Sequence, residues 1–511
     1  MRTRMLTVRL DTCRRRYGKP VRMMTRVENA HMSLIISVVA RLRCSRLCQP
    51  ILLAVIGLMV GVASPVRAEI RQLTSQADPA CAVGNPTTDS AVGSVAFEST
   101  CDFTGENSDG NREIFQVDSE GVVRQITITT GCSSANPASD ALGANIAFDS
   151  DCDIDGLNSD GNVEVFVSTP GGMLNLTNHT GLERCESLAP SIDAAGALVV
   201  FDSNCNFTGE NFDANAEIYS VDLVGTIDQL TDDRGLSGCG SFNASVNEAG
   251  DVVGFESDCD LVGDNVDEIS EIFSIDLAAQ PTPEITQLTR SEDDSCYSAA
   301  PSPAPDGTLF AFESNCDFAG ANGDGSVEIF SVTSAGLVTQ LSDSDDAGCD
   351  SFEPSTNGDG DRVAFTSYCD LTELNPDDGF EVFVATGAGP RQITEGVSCW
   401  SYSPQISEDG IKTVYVSDCD PLGTNADGSS ELFVSEGYVC GACGGPVSGN
   451  SAPVNPTATD ALFTLQTAIG GGECALCECD VDDNGSINAT DSLLILRAAV
   501  GQGTGLDCPE G

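Results

Sequence analysis

Residues 81–127 read CAVGNPTTDSAVGSVAFESTCDFTGENSDGNREIFQVDSEGVVRQIT, and the pattern of this stretch recurs until seven copies are complete. Each copy has two cysteines 20 residues apart, an AF-x-S segment, a loop rich in Asn, Asp and Gly, and an EIF segment. The first cysteines of successive copies are 50 to 57 residues apart. A repeat of this length is typical of β-propeller blades.

Each copy predicts four short strands. In the first copy we expect one strand after Gly84-Asn85-Pro86, and further strands at Ser94–Ser99, Glu113–Val117 and Val122–Thr127. β-Branched and aromatic residues dominate these segments, and Gly, Asn and Asp turns separate them. The sequence therefore predicts an all-β fold with seven blades.

The last copy lacks the QLT segment that closes the other copies. A segment of this type, Gln72-Leu73-Thr74, instead precedes the first copy. An N-terminal strand that completes the last blade would close the ring and cover an exposed sheet edge. We therefore predict a seven-bladed propeller, closed in this way, over residues 69–437.

The cysteine spacing predicts disulfides within the blades. The midpoint between partners falls in the turn between the first two strands of every copy, so the partners face each other across a hairpin. Antiparallel neighbours have a Cα separation of about 4.5–5.5 Å, which suits a disulfide. Zinc sites would need companion ligands that the copies lack. The predicted bridges are Cys81–Cys101, Cys132–Cys152, Cys185–Cys205, Cys239–Cys259, Cys296–Cys316, Cys349–Cys369 and Cys399–Cys419.

The N-terminal segment predicts export. Residues 1–68 contain 13 of the 23 Lys and Arg residues and an apolar run from Ile51 to Ala63, followed by a small-residue cleavage pattern at Val66-Arg67-Ala68. We interpret this as a signal peptide that begins near Met32, preceded by an over-long extension. No stable membrane span is expected after cleavage. Paired cysteines agree with a secreted, cell-surface or periplasmic location.

Residues 69–511 are strongly acidic. They contain 10 basic and 76 acidic residues, a net charge of −66. Such a charge repels nucleic acid and anionic lipid and attracts cations. The composition therefore argues against nucleic-acid and acidic-membrane partners.

The loop after the second cysteine of each copy is a candidate cation site. Its Asn, Asp and Glu residues recur at constant offsets, and hard oxygen ligands near glycine suit Ca²⁺. The alternative, which we favour, is that these side chains hydrogen-bond the turn and begin the next strand. The candidates in the first two copies are Asp102, Asn107, Asp109, Glu113, Asp153, Asn158, Asp160 and Glu164.

No catalytic motif is present. Residues 69–511 contain one histidine, His179, and neither a G-x-S-x-G nor an H-E-x-x-H sequence. Trp400 is the single tryptophan, so aromatic platforms for sugars are scarce.

The AF-x-S, EIF and QLT segments resemble the TolB-type, WD40-like (PD40) propeller repeat. The resemblance covers residues 69–437 and implies a propeller fold. It implies function only weakly, since that family includes binding modules, peptidase domains and lyases. The paired cysteines and the longer loop after the second strand depart from the family pattern.

The tail contains a 12-residue sequence, 480–491, with the spacing of a Ca²⁺ loop. It has oxygen-bearing residues at positions 1, 3, 5, 7 and 12 and glycine at position 6, and a helix is predicted after it. The expected ligands are Asp480, Asp482, Asn484, the backbone carbonyl of Ser486, and Asp491.

The segment Ala458-Thr459-Asp460 repeats Ala489-Thr490-Asp491, and the pair resembles a dockerin-type module. We place this module at 457–511, after a Cys/Gly/Pro-rich linker at 438–456. The resemblance implies one Ca²⁺ site and a cohesin-like or cell-surface partner, contacted by Ala458, Thr459, Ala489 and Thr490. Three disulfides of open pairing, rather than zinc sites, are expected for Cys440, Cys443, Cys474, Cys477, Cys479 and Cys508.

Two hypotheses of function follow. The first is an exported, non-enzymatic binding or scaffold protein, with an unidentified ligand on the propeller face and a calcium-dependent tail for attachment. It rests on the near-identity of the seven rim loops, since an enzyme needs unlike groups gathered in one place. The alternative is an enzyme or accessory subunit of extracellular polysaccharide breakdown, which the dockerin resemblance suggests.

Overall fold

The computed structural model describes residues 69–436, apart from 77, 79, 180–184, 233–237, 280–281, 292–294, 319, 321, 345–347, 373 and 388, and residues 458–468, 481 and 488–499 of the tail. The predicted signal peptide, the linker and the six tail cysteines lie outside the described residues. So do Asp480, Asp482, Asn484 and Ser486. No helix in the described part of the chain is long and apolar enough to cross a membrane.

Twenty-eight strands form seven antiparallel four-stranded sheets, as predicted for a seven-bladed propeller. Blades 1 to 3 contain β2 (Val83–Thr88), β3 (Ser94–Ser99), β4 (Glu113–Asp118) and β5 (Val123–Gln125); β6 (Ser134–Ser139), β7 (Ile146–Ser150), β8 (Glu164–Thr169) and β9 (Gly172–Asn175); and β10 (Ser187–Ile192), β11 (Leu198–Ser203), β12 (Glu217–Asp222) and β13 (Ile227–Gln229). Blades 4 and 5 contain β14 (Ser241–Val246), β15 (Val252–Ser257), β16 (Glu271–Asp276) and β17 (Glu284–Gln287); and β18 (Ser298–Pro303), β19 (Leu309–Ser314), β20 (Glu328–Thr333) and β21 (Val338–Gln340). Blades 6 and 7 contain β22 (Ser351–Thr356), β23 (Val363–Ser367), β24 (Glu381–Thr386) and β25 (Gly389–Gln392); and β26 (Ser401–Ile406), β27 (Lys412–Ser417), β28 (Glu431–Glu436) and β1 (Glu69–Gln72).

The N-terminal strand closes the ring. β1 pairs antiparallel with β28, with Gln72 opposite Phe433, and Leu73 N donates a hydrogen bond of 2.8 Å to Leu432 O. The predicted closure is therefore confirmed. It covers the open edge of the last blade.

Stacked aromatic pairs form the core of each blade. The AF phenylalanine lies directly opposite the EIF phenylalanine, as in the Phe97–Phe115 pair, whose ring centroids are 5.7 Å apart. Blades 3 and 7 use Phe201–Tyr219 and Tyr415–Phe433 in the same places. Such cross-strand aromatic pairs each contribute about 0.5–1.5 kcal/mol beyond the area that they bury.

All seven predicted disulfides are present. Their Cα–Cα distances lie between 4.9 and 5.2 Å. Each bridge joins the open end of the hairpin formed by the two inner strands of its blade. By chain entropy alone, a loop of this length stabilises the fold by about 3 kcal/mol.

The position of the first strand differs from the prediction. Gly84-Asn85-Pro86 does not precede β2 but lies inside it, where the register with β3 shifts between Gly84 and Thr87. The strand tolerates this sequence because it forms a β-bulge.

The described tail contains two helices, α1 (Ala458–Ala468) and α2 (Ala489–Ala499). Ala461, Val481 and Ile495 form a small buried cluster, and Ser492 Oγ donates a 2.6 Å hydrogen bond to Ala461 O. The predicted helix after the loop is present. These two helices do not by themselves show a dockerin module.

Candidate functional site in the central channel

The innermost strand of every blade contains a β-bulge. The first bulge residue has φ between 44° and 57° although it is never glycine, and the second is proline in six of the seven blades. A bulge takes the first residue's N–H out of the ladder, and proline has no N–H to lose. The bulges are Asn85-Pro86, Asn136-Pro137, Ala189-Pro190, Asn243-Ala244, Ala300-Pro301, Glu353-Pro354 and Ser403-Pro404.

In five blades the freed N–H donates a hydrogen bond to a carboxylate of the preceding blade. This carboxylate belongs to the x residue of AF-x-S. The pairs are Asn136–Glu98 (3.0 Å), Ala189–Asp149 (3.0 Å), Asn243–Asp202 (3.3 Å), Ala300–Glu256 (2.7 Å) and Glu353–Glu313 (3.0 Å). Hydrogen bonds to an ionised acceptor are stronger than neutral ones, so they offset the strain of a positive φ.

This ring of carboxylates is interrupted in blades 6 and 7. The x residue there is Thr366 or Val416, and Ser403 N donates instead to Glu353 (2.9 Å) and Thr366 Oγ1 (3.1 Å). A cavity of about 310 Å³ spans the interruption. Its lining includes Asn85, Asn136, Ala189, Glu353, Ser403 and Gln405. The channel therefore lacks the sevenfold symmetry of the blades.

Burial changes the acidity of two ring carboxylates. It raises the pKa of Asp149 to about 6 and the pKa of Asp202 to about 7, since desolvation disfavours the charged form. Hydrogen bonds from Asn136 Nδ2 (2.8 Å) and Ala189 N oppose the shift at Asp149. The same burial raises the pKa values of two further members of the ring, Glu256 and Glu313.

The first member of the ring is paired with a cation. Arg112 Nη1 lies 3.3 Å from Glu98 Oε1. Neighbouring carboxylates along the channel thus lie in different environments. Asp149 lies directly behind Asn136 and Ala189, which line the cavity. Carboxylates with separated pKa values beside a cavity can donate and accept protons, and such groups are typical of functional sites.

This ring is not among the predicted sites, because AF-x-S was interpreted only as a strand of each blade. The available signal is an acid at x in five copies, between a buried phenylalanine and a buried serine. A carboxylate at that place in a buried strand requires a partner. The partner lies on the next blade, 38 residues away in the pair of Asn136 with Glu98.

The blade-loop candidates take part in turn hydrogen bonds. Asp102 Oδ1 accepts from Asn107 N (3.0 Å), and Asp153 Oδ1 accepts from Asn158 N (2.9 Å). The Asn107 side chain is buried, and its Nδ2 donates to Cys101 O (3.3 Å) and Asn111 O (3.0 Å). These contacts agree with the turn interpretation for Asp102 and Asp153.

Each glutamate that begins a third strand joins that strand to the outer edge of its blade. Glu164 accepts hydrogen bonds from Thr177 Oγ1 and from His179 N (2.9 Å). Glu113 accepts from Thr129 Oγ1 (2.7 Å). Burial raises the pKa of Glu164, and the hydrogen bond from Thr177 opposes part of this rise. Asp109 and Asp160 are exposed.

His179 does not form a metal site in the described part of the chain. Its Nδ1 lies 3.3 Å from Cys185 Sγ, but that sulfur is bonded to Cys205. The other close groups of metal-ligating side chains among the described residues also contain a disulfide pair.

In the tail, Asp491 is buried and faces the candidate calcium loop. Its Oδ1 accepts from Val481 N (3.0 Å) and its Oδ2 accepts from Asn488 N (2.8 Å). Ala489 and Thr490 are exposed at the start of α2. Ala458 and Thr459 begin α1.

Comparison with known proteins shows the fold. No family model and no curated protein matches the chain. Among solved structures, an oligogalacturonate lyase from Vibrio parahaemolyticus is 11% identical, with a TM-score of 0.48, covering 73% of this chain and 97% of its own. TolB from Acinetobacter baumannii is 15% identical (TM-score 0.35; 70% and 64% covered). A puromycin-hydrolyzing peptidase from Mycobacterium tuberculosis is 12% identical (TM-score 0.46; 71% and 55% covered).

The strands and their pairing show a seven-bladed propeller. At these identities and TM-scores the likeness says nothing about the function of this chain. Seven disulfides also agree with an extracytoplasmic location.

The prediction of a non-enzymatic scaffold is corrected by these findings. Structures similar to this chain include a lyase and peptidases as well as TolB, so the fold gives no ground for excluding an enzyme. The physical reason lies in the channel. The sequence argument relied on rim loops that are alike in every blade, whereas the channel gathers unlike groups from different blades.

Proposed function

We propose that the protein takes part in the breakdown of a polysaccharide outside the cytoplasm, as an enzyme or an accessory subunit, and binds carbohydrate in the central channel. One observation carries this proposal: a cavity of about 310 Å³ is lined by amide, hydroxyl and carboxylate groups, and two of its lining residues donate hydrogen bonds to Asp149, whose pKa is raised. This volume is at the lower end of the range for ligand sites, roughly 300–1,000 Å³.

The lining suits a ligand rich in hydroxyl groups. The Asn136 amide both donates and accepts hydrogen bonds, while the Glu353 carboxylate is exposed and accepts them. The net charge of −66 over residues 69–511 repels a polyanion. The ligand class is therefore a neutral polysaccharide rather than a polyuronate.

The two shifted carboxylates supply the acid–base chemistry in this proposal. With its pKa near 7, Asp202 retains its proton in a large fraction of molecules at neutral pH and acts as the proton donor. Asp149, with a lower pKa, is mostly ionised there and acts as the acceptor. Glu353 contributes to ligand binding.

Incubation of the mature protein with a panel of neutral polysaccharides tests the proposal, with binding and release of reducing ends both measured. We expect Asp202→Asn to reduce turnover at least tenfold with binding retained, and Glu353→Gln to weaken binding. Glu120→Gln, an exposed change in a turn between strands, is the matched control. Binding without turnover would assign the accessory role. Absence of binding to every neutral polysaccharide would contradict the proposal.

We further propose that the tail binds one Ca²⁺ and attaches the protein to a cohesin-like or cell-surface partner. The Asp491 carboxylate faces both ends of the candidate loop, as the twelfth residue of a Ca²⁺ loop should. Asp480, Asp482, Asn484 and the Ser486 carbonyl would complete the ligand set. Exposed Ala489 and Thr490, with Ala458 and Thr459, would contact the partner.

Isothermal titration tests the tail proposal. We expect Asp480→Ala to remove one Ca²⁺ site, and chelator to release the partner in a pull-down from the cell exterior. Unchanged Ca²⁺ binding in that variant contradicts the assignment.

A further inference from the structure

The loop between the second and third strands is held by the same two asparagine hydrogen bonds in all seven blades. In each blade an Asn N–H donates to the side-chain oxygen five residues earlier, at 2.8–3.1 Å, and its Nδ2 donates to the carbonyl four residues later, at 2.8–3.0 Å. Blades 1, 2, 5 and 7 also share a backbone hydrogen bond from the glycine three residues after this asparagine to the asparagine carbonyl, so these four loops can be compared directly.

The orientation of this asparagine is fixed. In blades 1 and 2 the residues are Asn107 and Asn158, which are 1% and 2% exposed. Each Nδ2 donates to two backbone carbonyls, so a flipped amide would place its oxygen against both. The side-chain oxygen must point the other way, into the loop.

That oxygen has no hydrogen-bond partner. Oδ1 of Asn107 and of Asn158 is buried and unpaired, and so is Oδ1 of the loop's second asparagine, Asn111 or Asn162. Two buried acceptors without partners in one loop are unfavourable unless something with a positive charge or a proton lies between them.

Blades 5 and 7 show where these oxygens converge. They have serine in place of the second asparagine, and its hydroxyl fills the loop. Ser326 Oγ lies 3.3 Å from Asn322 Oδ1, 3.1 Å from Asp324 Oδ1 and 3.3 Å from Glu328 Oε1. The corresponding distances from Ser429 Oγ are 3.0, 3.1 and 3.1 Å. One hydroxyl proton can be donated to only one of these three acceptors. At the position of the serine hydroxyl, therefore, at least two of the surrounding oxygens receive no hydrogen bond from it.

We propose that blades 1 and 2 each bind a Ca²⁺ ion inside this loop. The ligands are the two asparagine Oδ1 atoms and the carboxylate of the aspartate between them. They are Asn107, Asp109 and Asn111 in blade 1, and Asn158, Asp160 and Asn162 in blade 2. In blades 5 and 7 the serine hydroxyl occupies the place of the ion.

The chemistry of the ligand set selects calcium. Carboxylate and amide oxygens are hard ligands, and Ca²⁺ accepts irregular shells of six to eight oxygens that include water. With a single carboxylate in each set, the affinity belongs to the weak extracellular range, roughly 10⁻⁴–10⁻³ M. Asp102 and Glu113 Oε1 are outside the set, since the first accepts the Asn107 N–H and the second accepts from Thr129, whereas Glu113 Oε2 is a further buried and unpaired oxygen of blade 1.

The chain itself offers the matched variants. Asn111→Ser and Asn162→Ser give blades 1 and 2 the loop of blade 5, and Ser326→Asn gives blade 5 the loop of blade 1. The readout is the number of Ca²⁺ ions bound per mature chain by equilibrium dialysis. All variants keep the same tail, so differences in this number report the blade loops alone.

We expect each Asn→Ser change to remove one ion, the double variant to remove two, and Ser326→Asn to add one. The thermal shift caused by Ca²⁺ should shrink in the double variant. Peptide mapping of the seven disulfides verifies that each variant is folded. An ion count that is the same in all four variants as in the unchanged protein would mean that water fills the loops, and would overturn the proposal. The ion count tests the blade loops alone and does not depend on whether the channel binds carbohydrate.

Discussion

At the scale of single residues, the channel carboxylates oppose folding at neutral pH. Burial raises the pKa of Asp149 from 3.8 to about 6. Below about pH 3 both the folded and the unfolded forms are protonated, and the residue carries no penalty. As the pH rises from about 3 to 6 the unfolded form ionises first, so the free energy of unfolding falls. Above pH 6 the loss has a constant value of about 3 kcal/mol.

Asp149→Asn removes this penalty and keeps an oxygen that can accept from Ala189 N. We expect the variant to raise the melting temperature at pH 8 and to leave it nearly unchanged at about pH 3. The charges of Glu98, Asp202 and Arg112 also act on the Asp149 carboxyl. The rise in melting temperature therefore reports the combined effect of burial and these charges. Calorimetry at both pH values measures the difference, with Glu120→Gln as control. An equal shift at both pH values would contradict the role of ionisation.

At the scale of elements, the repeated glutamate fixes the outer strand of each blade. Glu164 begins β8, and Thr177, just after β9, donates to it while also accepting from Val165 N (2.8 Å). The third and fourth strands are thereby joined by side chains beyond the end of their ladder. The outer strands have only three or four residues, so they depend on this contact.

Thr177→Ala leaves a buried carboxylate oxygen and the Val165 N–H without partners. We expect the free energy of unfolding to fall by about 1–3 kcal/mol, and to fall further as the pH rises above the usual range of a glutamate. Thr177→Ser is the matched control, because blade 5 uses Ser342 in this place. Denaturant titration measures both variants. Equal losses for alanine and serine would show that the methyl group, not the hydroxyl, matters.

At the scale of the whole molecule, stability depends on the closure of the ring. Leu73 is 5% exposed and packs in a core cluster with Leu432 and Val434 of β28. The first blade and the last blade meet in that cluster. Loss of this contact weakens the pairing of β1 with β28, which joins the two ends of the propeller.

Leu73→Ala should lower the free energy of unfolding by about 2–5 kcal/mol and expose the edge of β28. Thermal unfolding and light scattering measure the two effects, and we expect earlier aggregation. Leu142→Ala, at a residue 81% exposed, is the control. A Leu73 variant as stable as the control would show that the closure contributes little.

The sequence by itself determined the blades, their disulfides and the closure of the ring. The blades and disulfides depend on residues that are close in the chain. The closure follows from the repeat itself, because the last copy lacks a QLT segment and an extra one precedes the first copy. Cys81 and Cys101 are partners because a hairpin turn lies midway between them.

Only the tertiary structure decided the channel. The bulge at Asn136 and the acid at Glu98 look like unrelated local features in the sequence, and they meet because neighbouring blades pack side by side. The raised pKa of Asp202 arises from burial that no local pattern encodes. The asymmetry at Thr366 and Val416 has consequences only where all blades converge. A repeat specifies each blade through short-range contacts, whereas groups from different copies come together only around the axis of the closed ring.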